Sequence, residues 1–389
     1  MAGTNFRVGI MGLGAAARMM LPALAEHPGI QIAGVVDPDE EVRLAVAREW
    51  RVRHAATLDA LVQGGALDAV YIATPTGLHA QHTKLAAEAG LHVLCEKPMA
   101  VNLEEGTEMV ETMRRAGRVL MIGHSRSFDA PIDKMREIIE SGSMGEVRMI
   151  TQISYTDWMY RPRRPDELDP RQGGGVTYRQ GAHQFDIVRL LAGGIATEVT
   201  AAAFNLDPRR SGTGAHTALI RFANGAVANV IYNGYGGFST AEWCDGIGES
   251  GFPVDQALVG SLRRTHMNGS ADEFTAKRAR AAVINRGEPP CHPALGITLV
   301  SCEGGDLRQS PSGLVVYSAE GREEVTVPLR PGPQSRVVDE FYDAMAARAP
   351  IHDGAWGLAN LELCVAATES AESQRPVALS RQVPLRGAR

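Results

Sequence analysis

Two side chains in this sequence stand in settings suited to moving a proton: Lys97, within Glu96-Lys97-Pro98, and His183, within Gly181-Ala182-His183-Gln184-Phe185-Asp186. Histidine titrates close to neutral pH, and a lysine sheds its proton there when it is desolvated or set beside another cation. Either could accept the proton of a substrate hydroxyl. Arginine cannot, because it stays charged. The contrast matters in this chain, where only Lys84, Lys97, Lys134 and Lys277 are lysine and the other thirty-five of the 39 basic residues are arginine. Pro98 fixes the backbone beside the lysine and removes a competing donor.

A partner for that chemistry is implied by Met11-Gly12-Leu13-Gly14-Ala15-Ala16-Ala17. Phe6 to Met11 reads as a buried strand, Gly12 permits a tight turn, Gly14 lets the backbone approach a pyrophosphate, and Ala17 lets the next helix pack on the sheet. The helix opening at Ala15 and Ala16 aims its unbonded N–H groups and positive dipole end at the phosphates. A second strand, Ile30 to Val36, ends at Asp37, whose carboxylate can bind both ribose hydroxyls and would repel a 2'-phosphate. Gly12, Leu13, Gly14, Ala15, Ala16 and Asp37 therefore predict a dinucleotide site that favours NAD over NADP. A positively charged nicotinamide ring beside Lys97 would lower the lysine's pKa and accept the hydride as the hydroxyl proton leaves.

The substrate side is read from arginine. Arg161, Arg163 and Arg164 lie between prolines in Tyr160-Arg161-Pro162-Arg163-Arg164-Pro165, and Arg179 follows in Gly173-Gly174-Gly175-Val176-Thr177-Tyr178-Arg179. A guanidinium fork binds a carboxylate through two parallel hydrogen bonds, and flanking prolines reduce the entropy lost in holding it. These residues predict a small anionic substrate, with two forks needed for a dicarboxylate. Trp158 and Tyr178 could flank a planar ring.

The elements that must position these groups follow from hydrophobic periodicity. Strand patterns near 6–11, 30–36, 69–73, 91–95 and 119–123 alternate with helical patterns near 16–26, 40–49, 78–89 and 103–116, which predicts a doubly wound parallel sheet. Thr74-Pro75 and Glu96-Lys97-Pro98 then fall just past the carboxyl ends of strands, the edge where such sheets bind ligands. From Val147 onward longer β-rich runs appear, at 147–155, 198–204, 217–222 and 226–232, with a helix near 184–191. The reading is an α/β fold: a Rossmann domain over residues 1–125, then an α+β domain over 126–389 on a large, mostly antiparallel open sheet. The stretch 234–293, rich in glycine, proline and charge, reads as an insertion with a helical piece near 271–283. Short strands return at 297–302 and 314–317. Helices near 335–347 and 354–373 close the chain and are candidates to pack back on the first domain.

With 389 residues and 44% hydrophobic content, the chain has material for two cored domains, and a net charge of -6 offers no basic footprint for nucleic acid or anionic lipid. No apolar run is long enough to span a bilayer, and the first strand begins close to Met1, so a cytoplasmic protein is expected. Cys95, Cys244, Cys291, Cys302 and Cys364 are odd in number and contain no C-x-x-C pair, so neither a disulfide framework nor a structural metal site is expected.

Taken together, the glycine loop, Glu96-Lys97-Pro98, Gly123-His124-Ser125-Arg126-Ser127-Phe128 and the glycine-rich motif through Asp186 resemble the glucose-fructose oxidoreductase, inositol dehydrogenase and rhizopine-catabolism superfamily, Gfo/Idh/MocA. The resemblance implies NAD(P)-dependent hydride transfer and homodimers or homotetramers formed through the open sheet. It adds Thr74, Pro75, His79, Glu96, Lys97 and Arg126 to the cofactor set, and Lys97, Arg126 and His183 to the substrate set. Lys97 and His183 become the catalytic pair. Where the family usually carries an aspartate two residues before the motif's glycine, this chain has Arg179, which speaks against a simple polyol mechanism. A narrower resemblance is carried by 158–165, by the motif around Arg179 and His183, and by 300–311. It is to the phthalate cis-dihydrodiol dehydrogenases of the superfamily, and implies oxidation of 4,5-dihydro-4,5-dihydroxyphthalate to 4,5-dihydroxyphthalate with NADH formation. The alternatives are a sugar, inositol or sugar-acid dehydrogenase, an NAD-bound hydrolase, or a non-catalytic NAD sensor.

Overall fold

The computed structural model describes residues 5–267, 273, 275–277 and 287–386. They form two compact units, one comprising residues up to 124 with 334–361, the other 125–277, 287–333 and 362–386 within those bounds.

The first unit is built on a six-stranded sheet ordered β3-β2-β1-β4-β5-β6, with every strand pair parallel. Its strands are β1 Phe6–Met11, β2 Ile30–Val36, β3 Arg53–Ala55, β4 Ala69–Ile72, β5 His92–Cys95 and β6 Leu120–Ile122. The helices α1 Ala15–Glu26, α2 Glu40–Trp50, α3 Leu58–Gln63, α4 His79–Glu88 and α5 Leu103–Arg115 make the crossovers. Val8, Ile10, Val70, Tyr71, Ile72, Val93 and Leu94 are wholly buried, as strands covered on both faces require. Strand order reverses between β1 and β4, which opens a ligand crevice at their carboxyl ends. β3 and α3 were not expected: three residues with an exposed Arg53 give no periodic signal, and α3 is announced only by its Thr57 cap on the Ala60 N–H. Residues 334–361 complete the unit, with the Ile122 N–H bonded to the His352 carbonyl at 2.9 Å and Gly357 leaving room for the Ile122 side chain.

The second unit carries a nine-stranded sheet ordered β14-β13-β12-β11-β7-β10-β9-β8-β15, the last being the two-residue strand Val377–Ala378. Only β7 (Val147–Tyr155) and β10 (Val227–Asn233) pair in parallel, and the other neighbours are antiparallel. β8 Ala196–Phe204, β9 Ala215–Phe222, β11 Ile297–Cys302 and β13 Gly313–Ser318 match expected strands. β12 Gly305–Ser310, β14 Gly321–Thr326 and helix α6 Ala130–Glu140 were not expected; β14, GREEVT, is too polar to read as a strand and is held by its backbone pairing with β13 and by Glu324, which accepts from the Ser310 hydroxyl at 3.0 Å and the Ser312 hydroxyl at 2.6 Å. The expected helical piece at 271–283 lies largely outside the described residues. Three further helices set the site: α7 Pro165–Leu168, α8 Val176–Arg179 and α9 Gly181–Ala192, the last buried along its whole length. No described helix is long and apolar enough to cross a membrane.

Candidate functional site

The glycine loop does two different jobs with two glycines. Gly12 has φ +86°, and a Cβ there would lie 2.8 Å from the Ala73 and Thr74 backbones, so the loop is laid directly on the end of β4. Gly14 has φ -75°, a conformation open to any residue, yet nothing lies within 4 Å of its would-be Cβ. That open flank fronts the start of α1, which no side chain caps. The Asp37 carboxylate accepts the Leu13 N–H on one oxygen and the Asp39 N–H on the other, both at 2.9 Å, so it is fixed beside the loop with further lone pairs available. Gly14, Ala15, Ala16 and Asp37 fit a dinucleotide: an uncapped helix end for the pyrophosphate and an oriented carboxylate for ribose hydroxyls.

The same edge holds Lys97. His79, buried in the first turn of α4, ties three segments together: Nε2 meets the Thr74 carbonyl at 2.9 Å, and Nδ1 meets the Pro98 carbonyl at 3.0 Å. Thr74, Pro75, His79 and Glu96-Lys97-Pro98 are thus one rigid patch next to Gly12. Lys97 is half-buried, and its peptide to Pro98 is cis. Beneath it, the Tyr71 hydroxyl donates to Glu96 Oε1 at 2.7 Å. Burial pushes the Glu96 carboxyl above its ordinary pKa, while Lys97 and the Tyr71 hydrogen bond pull it back.

In the second unit most of the arginines are engaged with this chain's own carboxylates. Arg161 is held by Asp157 at 2.6 Å and by Glu249; burial works against its charge, but the two carboxylates together raise its pKa. Arg164 grips Asp166 with both arms of its fork, at 2.9 and 3.1 Å. Arg163 stacks over the buried Trp158 ring at 3.9 Å and faces Glu167 at 3.7 Å. Arg126 belongs to this unit and donates to the Glu249 carbonyl at 2.9 Å and to Asp129 at 3.4 Å, so it braces the loop that also holds Arg161. Charge that the sequence assigns to a substrate is, for Arg161 and Arg164, largely spent inside the fold.

Arg179 is placed differently. Its side chain is 13% exposed and stands 3.7 Å from Asp166, which Arg164 already holds, and burial lowers its pKa against the pull of Glu167 and Asp166. Tyr178 beside it is buried, and burial raises its hydroxyl pKa. His183 is buried in the first turn of α9. A cleft of about 430 Å³ elsewhere in the unit, lined by Cys291, Arg308, Ser310, Arg322 and Glu324, holds none of the expected site residues. Among the described residues no cluster of three or more His, Cys, Asp or Glu could hold a metal ion.

Residues 6–124 match the oxidoreductase family with NAD-binding Rossmann fold, GFO_IDH_MocA, and residues 132–251 match the GFO/IDH/MocA C-terminal domain. A Comamonas testosteroni relative, 1-carboxy-3-chloro-3,4-dihydroxycyclohexa-1,5-diene dehydrogenase, is 35% identical over 385 residues and covers 95% of both chains. The chain belongs to the Gfo/Idh/MocA oxidoreductases. It is an NAD-dependent enzyme of that family, and its relative is named for a carboxylated cyclohexadiene diol. A crystal structure from Bordetella bronchiseptica RB50, provisionally described as a dehydrogenase, superposes with a TM-score of 0.91 at 38% identity, covering 96% of this chain and 100% of that one. An Agrobacterium radiobacter oxidoreductase in complex with NAD+, L-tartaric acid and magnesium shares the fold at a TM-score of 0.72 and 20% identity, over 96% and 98% of the two chains.

Sequence reasoning did not find Tyr71 beneath Glu96, Glu249 behind Arg161, or the buried Thr177, Gln184 and His216. Thr177 and Gln184 stand within the glycine-rich motif with no role assigned to them, and His216 shows only as a polar residue at an inward position of β9.

Proposed function

We propose that the enzyme oxidises a carboxylated cyclic cis-diol, of the kind derived from phthalate as 4,5-dihydro-4,5-dihydroxyphthalate, to the corresponding catechol. Bound NAD supplies the hydride acceptor. Lys97 and His183 relay the hydroxyl proton, Arg179 pairs with a substrate carboxylate, and Tyr178 walls the ring, while Trp158 lies in the core and backs Arg163. The ketone left by hydride loss tautomerises to an aromatic diol, which makes the step effectively irreversible. The observation that carries this reading is Arg179 itself: a buried guanidinium in the position where the family's usual sequence has an aspartate. A carboxylate cannot anchor an acid, and a guanidinium can. The engagement of Arg161 and Arg164 inside the fold favours one firmly held substrate carboxylate over two. Arg126 and Arg163 are proposed to brace this region.

The test compares Arg179→Ala with wild type on a mono-acid diol, a diacid diol and an uncharged cyclic diol. Loss of a charge-assisted pair of about 2 kcal/mol predicts a KM roughly 30-fold higher for both acids and little change for the uncharged diol. Equal effects on all three would refute the anchor. Inositol or uronate oxidation by the wild type with no response to the dihydrodiols would establish the sugar-dehydrogenase alternative. Turnover without net NADH would indicate a hydrolase. We also propose a cytoplasmic homodimer or homotetramer covering the open face of the nine-stranded sheet, where Met149 is 43% exposed; light scattering reads that mass directly.

A further inference from the structure

The segment 177–184 carries Tyr178, Arg179 and His183, and it rests on a single imidazole. Thr177 Oγ1 lies 3.3 Å from His216 Nδ1, and Gln184 Oε1 lies 3.1 Å from His216 Nε2. Between them, Gly181 sits against the ring edge, where a Cβ would come 3.3 Å from His216 Cε1 and 3.1 Å from Phe185 Cε2. Positions 177, 181 and 184 share one helical face, with the backbone helical through Gln180 at φ -110° and ψ -38°. Arg179 and His183, four residues apart, share another. One face is therefore fastened to β9 while the other carries the side chains assigned to substrate.

The hydrogen-bond directions are fixed by the chain's far end. The Gln184 amide nitrogen reaches the Ile231 carbonyl at 3.0 Å, which can only accept, so Gln184 Oε1 faces His216 and Nε2 of that ring must donate. His216 Nδ1 is then an acceptor, and the Thr177 hydroxyl donates to it. Gln184 also donates to Gln152 Oε1, and the Gln152 amide donates to the Leu295 carbonyl at 2.5 Å. Thr177, Gln184, His216 and Gln152 are 0–3% exposed, so no water competes for these bonds. Loss of any link strands a buried polar atom.

The geometry points to His216, in its neutral Nε2–H tautomer, as a positioning residue that clamps Thr177 and Gln184 and thereby sets Arg179 and His183 for the carboxylated substrate. The inference rests on the proposed function for its substrate but not for the clamp itself. Thr177→Val keeps the side-chain shape and removes the hydroxyl, Thr177→Ser restores it, and His216→Phe removes both hydrogen bonds. In the NAD-loaded full-length protein without substrate, amide hydrogen exchange across 177–184 is expected to quicken about fivefold in Thr177→Val and more in His216→Phe, and to return to the wild-type rate in Thr177→Ser. With the carboxylated diol, Thr177→Val is expected to raise KM about fivefold while kcat falls less. In an Arg179→Ala background the same change is expected to raise KM less than twofold, because the group it positions is gone. Unchanged exchange in both Thr177→Val and His216→Phe overturns the clamp. A fivefold KM effect that persists without Arg179 overturns its positioning role. A wild type inert toward the diol, with exchange responding as expected, refutes the proposed substrate and supports the clamp.

Discussion

Gly12 and Gly14 separate a structural from a ligand-binding role within one loop, and alanine at each should fail in a different way. At Gly12, alanine must adopt φ +86° and place a methyl 2.8 Å from three backbone atoms of Ala73 and Thr74. A non-glycine residue in the left-handed region costs roughly 1–2 kcal/mol, and backbone overlap that no rotamer can relieve brings the total to about 3 kcal/mol. For a unit of this size that lowers Tm by roughly 6–12 °C. At Gly14 the backbone already suits alanine and the site is open. The reduced freedom of the unfolded chain favours the variant by a few tenths of a kcal/mol, and alanine's poor helix N-cap preference offsets it, so Tm should stay within about 1 °C. Its methyl nevertheless occupies the space a pyrophosphate needs. Losing one charge-assisted N–H to phosphate contact, about 2 kcal/mol, weakens NAD binding roughly 30-fold. Calorimetric scanning and NAD titration read both quantities. Wild-type NAD affinity in a folded Gly14→Ala protein would refute the assignment of the loop.

Two further predictions follow from buried charge. Burial lowers the His216 pKa to about 4, so the unfolded chain takes up its proton near pH 6.5 while the folded chain does not. Stability should therefore fall as pH drops from 6.5 towards 4, by about 2 kcal/mol at pH 5 from this group, and urea unfolding of His216→Phe should lack that component. Arg161→Met leaves the Asp157 and Glu249 carboxylates without their cation; a loss of about 3 kcal/mol in denaturant unfolding is expected, with NAD affinity unchanged. Unaltered stability would show that the pair is solvated.

The cofactor unit was legible because its signals are local. Gly12, Gly14 and Asp37 act through backbone geometry within a single strand-turn-helix-strand unit, and strand-end position alone sets Lys97 beside the loop. The second unit was harder to read because its electrostatics are long-range: Arg161 finds Glu249 88 residues away, and Gln184 finds His216 32 residues away. A run of arginines looks the same whether its partners are substrate or carboxylates brought in by the fold. Strands such as β14 carry no alternation because both faces meet solvent at the sheet edge, with five of its six residues exposed. Gly181 was read as part of a motif, and the physical reason for it, the His216 ring, could not be seen from sequence.

The most direct test of the account is NADH formation, followed by absorbance, when wild type and Lys97→Met are given NAD and a carboxylated cyclohexadiene cis-diol. Stoichiometric NADH and catechol are expected with wild type, and a loss of at least about 100-fold in kcat with Lys97→Met at unchanged NAD affinity. Wild-type turnover by Lys97→Met, or no NADH from the wild type with any carboxylated dihydrodiol, would contradict it.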